Sequence, residues 1–130
     1  MTREGEALMQ LEISKKERQG VTVLELSGRL VSGEECESFR KLIRDLLAAK
    51  QNSILVSLGD IVRIDSTGIG TMVESVILTA KGGGRLKLFN VPRLIRNILS
   101  THRLLQAFDI FETENDGVAS FAAESQTTTS

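Results

Sequence analysis

The stretch Ile61-Val62-Arg63-Ile64-Asp65-Ser66-Thr67-Gly68-Ile69-Gly70 separates two segments of different hydrophobic periodicity. The run before it, Ile54-Leu55-Val56-Ser57-Leu58, is short and mostly apolar, which predicts a strand. The apolar residues after it are spaced by three and four, as on one face of a helix: Ile69, Met72, Val73, Val76, Ile77 and Ala80. The sequence therefore predicts a strand, a short loop, and a helix that starts at Asp65 and Ser66.

The predicted helix start has the features of a modification site. A serine hydroxyl at this point can accept a hydrogen bond from a free N–H of the first turn, so Ser66 is the predicted N-cap. Gly68 and Gly70 would let another chain approach the backbone closely. Unpaired N–H groups and the positive end of the helix dipole both favour a phosphate here. We therefore hypothesise that Ser66 is phosphorylated. The simpler alternative is that Ser66 only caps the helix and that Asp65 only positions the turn.

The segments before this stretch predict a hairpin and a helix. Leu11-Glu12-Ile13 and Val21-Thr22-Val23-Leu24-Glu25-Leu26 read as the two strands of a β-hairpin. Between them lies Lys15 to Gly20, which is charged and ends in a glycine turn. Gly28-Arg29-Leu30 closes the second strand. A helix from Ser32 or Gly33 to about Ala49 follows, because its apolar residues form one stripe.

The segments after the central helix predict two more strands and two more helices. Gly82, Gly83 and Gly84 end that helix, and Leu86-Lys87-Leu88-Phe89 is the next strand. A helix opened by Pro92 follows. The chain is completed by a loop and a last short strand within Leu104, Leu105, Phe108, Ile110 and Phe111, and by a short closing helix with Val118, Ala119, Phe121 and Ala122.

This order of elements predicts an α/β fold. After the opening hairpin, strands alternate with helices, which favours a mixed, mostly parallel sheet of about five strands with about four helices packed against it. We expect a single domain over residues 11–123. Residues 1–10 are polar and predicted to form a flexible arm, and residues 124–130 lack an apolar anchor and are predicted to be disordered.

Composition argues against several classes of partner and site. The net charge is −1 and the pI about 5.9, so there is no basic footprint for nucleic acid, and the chain has no Trp or Tyr for base stacking. The single cysteine, Cys36, allows no intramolecular disulfide and no cysteine metal cage, so we expect a buried, reduced thiol. No apolar run is long enough for direct membrane insertion, and residues 1–10 lack the apolar centre of a signal peptide, so we expect a cytoplasmic protein.

The residues also argue against catalysis. The only histidine, His102, lies in the polar segment Ser100-Thr101-His102-Arg103. A triad of Ser66, His102 and Asp65 is conceivable from composition, but adjacent Asp and Ser residues cannot flank an imidazole, and the nucleophile-elbow motif is absent. No metal-ligand cluster or nucleotide fingerprint is present, so we expect no enzyme activity, metal or cofactor.

The chain resembles a known bacterial family. Asp65-Ser66-Thr67-Gly68-Ile69-Gly70 follows an apolar strand, with Gly28-Arg29-Leu30 upstream and Gly83-Gly84-Arg85-Leu86-Lys87-Leu88 downstream. This order and spacing is similar to the STAS domain of anti-sigma factor antagonists, over about residues 11–121. The resemblance implies a STAS-type fold. It also implies that the serine after the aspartate, here Ser66, is phosphorylated by an anti-sigma factor that is itself a kinase, and that a serine phosphatase reverses the reaction.

The resemblance also implies how the protein acts. Unphosphorylated, it would bind the anti-sigma factor and release a sigma factor; phosphorylated, it would let go. The expected partner-binding residues are Asp65, Ser66, Thr67, Gly68, Ile69, Gly70, Arg63 and Arg29. The alternative is a STAS scaffold without a phosphorylation cycle, in a signalling or membrane-transport assembly. The sequence does not determine the oligomeric state.

Two positions near the motif depart from the family's pattern. Val31 follows Gly28-Arg29-Leu30 where the family frequently has an aspartate, and Arg63 stands where the family usually has an aromatic or aliphatic residue. Arg63 would place a positive charge beside the site, where it could pair with a phosphate.

Overall fold

The computed structural model describes residues 10–128. Within them the strands are β1 (Leu11–Arg18), β2 (Val21–Leu30), β3 (Ser53–Ile64), β4 (Arg85–Phe89) and β5 (Ile110–Phe111). The helices are α1 (Glu34–Ala48), α2 (Ser66–Lys81), α3 (Arg93–Thr101) and α4 (Glu114–Thr128), and a 3-10 helix, Leu105–Ala107, precedes β5. The predicted α/β class is confirmed.

The strands form one sheet in the order β1-β2-β3-β4-β5. β1 pairs with β2 in antiparallel fashion, and every later pair is parallel, so the predicted mixed, mostly parallel sheet is confirmed. Each helical connection from β2 to β5 moves the chain one strand further in the same direction. Because such crossovers are right-handed, α1, α2 and α3 are carried to the same face of the sheet.

Two apolar cores cover the two faces of the sheet. The larger one joins side chains of α1, α2 and α3 to one face of the strands, and includes Phe39, Met72 and Leu99. The smaller one joins Val118 and Phe121 of α4 to the opposite face. Neighbouring residues of β3 alternate between the cores, as the pleat requires.

The smaller core contains a buried cation. Lys87 of β4 is 2% exposed; its ammonium group donates to the hydroxyl of Ser120 at 2.9 Å and lies 4.4 Å from the ring centroid of Phe121. The cation is therefore held by a hydroxyl and an aromatic face of α4, which fixes that helix on the sheet.

The hairpin is tighter than the sequence predicts. β1 continues to Arg18, so only Gln19 and Gly20 form the turn, with φ of 53° and 83°. Positive φ at both positions matches the two-residue turn that follows the twist of a hairpin. The predicted hairpin and its glycine turn are confirmed, whereas the charged residues from Lys15 to Arg18 belong to the strand and pair along an exposed sheet edge, where lysine is well tolerated.

The chain ends differ from the sequence expectation in one respect. α4 is helical to Thr128, so the stretch predicted as a tail from residue 124 begins inside the last helix. Extending an existing helix fixes few additional torsions per hydrogen bond, so a polar sequence can continue it. The predicted N-terminal arm, except for residue 10, and residues 129–130 lie outside the described residues. Within the described part, none of the helices is apolar enough over a sufficient length to cross a membrane.

Candidate functional site

The site is carried by the far ends of β2 and β3. β3 pairs with β4 only as far as Ser57 opposite Phe89, but its pairing with β2 continues to Ile64 opposite Leu30. The segment from Ile61 to Ile64, predicted as a loop, is therefore strand, because β2 satisfies its backbone groups. Two register shifts interrupt this pairing, and such bulges commonly redirect side chains near functional sites.

Asp65, and not Ser66, caps α2. Asp65 is extended, with φ of −114° and ψ of −176°, and one of its carboxylate oxygens accepts from the N–H of Gly68 at 2.8 Å. The predicted serine cap is wrong because the residue that leaves the strand in an extended conformation is Asp65, which takes the capping position. Ser66 is the first residue of the helix.

The Asp65 carboxylate also binds a second loop. Its other oxygen accepts from the N–H of Ser32, just after β2, at 2.9 Å. Hydrogen bonding from Ser32 is the largest cause that lowers the pKa of Asp65 from its ordinary value, and N–H groups of Gly68 and Thr67 act in the same direction. Asp65 is therefore ionised at neutral pH and joins the end of β2 to the start of α2. No pattern in the sequence predicts this role for Ser32.

Ser66 is exposed at the first position of α2. Thr67 is exposed as well, so exposure alone does not distinguish the two hydroxyls as phosphate acceptors. The backbone carbonyl of Thr67 accepts from the hydroxyl of Thr71 at 2.8 Å. In the same stretch of helix, Thr71 contacts the thiol of Cys36 on α1, and burial raises the pKa of that thiol, which keeps it protonated.

The two glycines of the motif have different roles. Gly68 is buried, and a side chain there would collide with the carbonyl oxygen of Leu30 and with the Ile64 side chain. Its close approach is thus to β2 of the same chain, and the expectation that it admits a partner's backbone is wrong. Gly70 is exposed, and a side chain there would meet nothing within 4 Å. Of the two, only Gly70 lies open to a partner. Ile69 is 8% exposed and belongs mainly to the core.

Arg29 and Arg63 lie side by side on neighbouring strands. They are register partners, Arg29 half-buried on β2 and Arg63 exposed on β3. Among the described residues, neither guanidinium has a carboxylate partner, and the Nε atom of Arg29 is buried without a hydrogen bond. The structure thus brings the two predicted arginines together beside the strand end.

An apolar groove runs from Ser66 along α2. Its volume is about 920 Å³, and it lies between α2 and the end of α3. Its apolar walls are formed by Ile64, Ile69, Val73, Ile77, Leu78, Ile98 and Leu104. Ile77 is 50% exposed and Leu78 is 37% exposed. The spacing of Ile69, Val73 and Ile77 predicted one face of a helix and did not predict a groove. The sequence feature that could have indicated the groove is the adjacent apolar pair Ile77 and Leu78. Two adjacent apolar residues widen the apolar face of the helix beyond the part that packs into the core.

His102 lines the other end of the groove, beside Lys81. It is the C-cap residue of α3, whereas Ser66 begins α2 and Asp65 is engaged by backbone N–H groups. No hydrogen bond joins His102 to Ser66 or Asp65 in the described part of the chain, so the residues do not form a triad. Over the same residues, no three His, Cys, Asp or Glu side chains come together as a metal site.

A family model described as the STAS domain matches residues 12–117. A sequence comparison with curated proteins gave no significant match.

Three solved structures show the same fold. A Thermotoga maritima protein described as an anti-sigma factor antagonist has a TM-score of 0.74 and 23% identity, over 83% of this chain and 92% of its own. Phosphorylated SpoIIAA, a cell fate determinant of Bacillus, has a TM-score of 0.68 and 18% identity, over 85% of this chain and 99% of its own. The murine anion transporter Slc26a9 has a TM-score of 0.69 and 18% identity, over 83% of this chain and 18% of its own.

Proposed function

Because this chain belongs to the STAS domain family, we propose that it is an anti-sigma factor antagonist controlled by phosphorylation of Ser66. The observation that carries the proposal is the exposed hydroxyl of Ser66 at the mouth of an apolar groove. The similar Bacillus protein SpoIIAA is an anti-sigma factor antagonist with both phosphorylated and unphosphorylated structures. That similarity supports a phosphorylation cycle here.

Unphosphorylated, the protein would bind the anti-sigma factor through Ser66, Thr67, Gly70 and the groove along α2. The exposed parts of Ile77 and Leu78 supply apolar surface for the partner to cover. Asp65, Gly68 and Ile69 hold this surface in place from behind. Binding would release the sigma factor that the anti-sigma factor otherwise holds.

Phosphorylation would weaken this complex by adding charge at its centre. The anti-sigma kinase would transfer the γ-phosphoryl group of ATP to the Ser66 oxygen, with ADP leaving and the hydroxyl proton passing to a base of the kinase. The new group carries about −1.5 to −2 charges next to ionised Asp65. A partner would have to desolvate that charge, so its affinity for the two forms must differ, which is what a switch requires. A serine phosphatase would restore the hydroxyl with water.

In this proposal the protein is a substrate of the kinase and not a catalyst. It needs no cofactor of its own, and it would act in the cytoplasm, where its partners are.

A second function is favoured by one observation. The chain also matches a part of the murine anion transporter, so the fold occurs as a module of a much larger membrane protein. A STAS scaffold in a transport or signalling assembly would use the same groove without phosphorylation of Ser66.

Mass spectrometry on the protein from its own host distinguishes the two functions. Intact mass and peptide mapping in growing and stressed cells should place a phosphate on Ser66, with an occupancy that changes with condition. Ser66→Ala should abolish the phosphorylated species, and Thr67→Ala, a matched exposed hydroxyl, should keep it. A phosphate on Thr67, or a bare Ser66 in every condition within a stable complex, would contradict the proposal and favour the scaffold.

A further inference from the structure

We propose that Arg63, with Arg29 beside it, forms a binding site within this chain for the phosphoryl group on Ser66. The inference rests on the proposed function, since it concerns the phosphorylated form. The proposed contact stabilises the phosphorylated Ser66 within the chain itself. It does not depend on where the anti-sigma factor binds.

The pairing of two arginines is unfavourable in the unmodified chain. Arg29 and Arg63 are register partners on adjacent strands, and like charges directly opposite each other destabilise a sheet. No described carboxylate lies in an ion pair with either residue, although eleven other described charged side chains are engaged in this way, among them Arg18 with Glu114. An anion placed between the two guanidinium groups would remove the repulsion.

Arg29 has a buried hydrogen-bond donor without an acceptor. Its Nε atom is buried and has no hydrogen-bond partner. Buried polar groups are nearly always hydrogen-bonded, and an unsatisfied one costs free energy. A phosphate oxygen is a suitable acceptor, because the guanidinium fork can bind two oxygens at once.

The arginines lie at the end of the sheet where Ser66 begins α2. Leu30 and Ile64 pack into the helix-covered core, so the alternation of strand side chains directs Arg29 and Arg63 to the opposite face. α4 covers that face near Leu55, at the level where β3 pairs with β4. Beyond that level the face is open, since Arg63 itself is exposed.

The distances along the chain permit the contact. Arg63 precedes Ser66 by three residues, which span at most about 10 Å of extended backbone. The long arginine side chain and the phosphoserine side chain can meet around the single capping residue between strand and helix. Arg29, on the neighbouring strand, would then offer its unpaired Nε–H to the same phosphate.

Such a site would offset the repulsion between the Asp65 carboxylate and a phosphate on Ser66. The carboxylate of Asp65 is fixed by Ser32 and Gly68, so it cannot turn away from a phosphate on the next residue. Arg63 and Arg29 would compensate the added negative charge. The phosphorylated form would then persist without a partner, until a phosphatase removes the group.

The test uses the full chain with phosphoserine encoded at position 66, so it needs no kinase. Phosphorus NMR would follow the second ionisation of the phosphate against pH in four proteins: the parent, Arg63→Gln, Arg29→Gln and Arg44→Gln. Arg44, an exposed arginine of α1 that forms no ion pair with another described residue, is the matched control. A nearby cation favours the dianion, so the parent phosphate should titrate below its ordinary pKa of about 6, by about one pH unit.

In Arg63→Gln that titration should move back towards about pH 6, while Arg44→Gln should match the parent. Arg29→Gln should move it by less. Arg63→Lys keeps the charge and should retain part of the effect, which shows that folding is not the cause. The same phosphate pKa in the parent and in Arg63→Gln would overturn the proposal. The two arginines would then be available to bind a carboxylate of a protein partner. A host protein whose Ser66 is never phosphorylated would contradict the proposed function, whatever the NMR result.

Discussion

The carboxylate of Asp65 accepts a hydrogen bond from the backbone N–H of Ser32 at 2.9 Å, across the ends of two parallel strands. The same carboxylate caps α2 through Gly68. One side chain thus fixes the loop after β2 and the residue where α2 begins. The position of Ser66 at the surface depends on this contact.

Asp65→Ala should reduce the free energy of unfolding by about 1–2 kcal/mol, because it removes a helix cap and a hydrogen bond between loops. Asp65→Asn is the matched variant, since its amide oxygen can still cap the helix, and it should lose about half as much. Urea unfolding followed by circular dichroism measures both. Equal stability of Asp65→Ala and the parent would show that the cap contributes nothing.

Stability should fall in acid partly through Asp65. The folded-state pKa of Asp65 is lowered, while the unfolded value is about 3.9, so its contribution is present above that pH and is lost as the pH falls through the folded value. The parent should therefore lose more stability than Asp65→Asn between about pH 5 and pH 2. Glu114, whose pKa is lowered by its hydrogen bond from Arg18, acts in the same direction in both proteins and cancels in the difference. Parallel pH profiles for the two proteins would contradict this assignment.

Alanine at the two motif glycines should have opposite effects. Gly68→Ala places a methyl group against Leu30 and Ile64 and should cost about 1–3 kcal/mol. Gly70→Ala points into open space on a helix and should stabilise by up to about 1 kcal/mol. Thermal unfolding of the pair, each serving as the other's control, checks this. A harmless Gly68→Ala would mean that α2 can move away from β2 at no cost.

A charge in the groove should weaken partner binding without unfolding the protein. Ile77→Glu puts a carboxylate on the groove wall, and we expect at least a roughly tenfold loss of affinity for the anti-sigma factor that copurifies from the host. Val62→Glu is the matched control, because Val62 is more exposed and lies outside the groove. Calorimetric titration would measure both affinities. Unchanged binding by Ile77→Glu would place the partner elsewhere on the surface.

Local periodicity was enough to predict the succession of elements. The three- and four-residue spacing after Gly68 marked α2, and alternating strands and helices predicted the mixed, mostly parallel sheet, because these patterns record which side of each element is buried. The end of α4 was less well predicted, because its polar last residues carry no periodic signal.

The residues of the site were identified by motif, but their roles were not. Asp65 and Ser66 are adjacent and both can cap a helix, so the sequence alone favoured the wrong one. The choice was made by β2, whose pairing holds β3 in strand conformation up to Ile64 and leaves Asp65 as the first unpaired residue.

The sequence by itself determined the fold class, the position of α2 and the presence of a serine at its start, since these depend on neighbours in the chain. Only the tertiary structure decided that Gly68 serves internal packing against Leu30, that Arg29 and Arg63 stand together, and that α2 and α3 leave a groove beside Ser66. Each of these is a contact between segments distant in sequence. Its geometry is set by strand register and by helix packing, which local patterns do not encode.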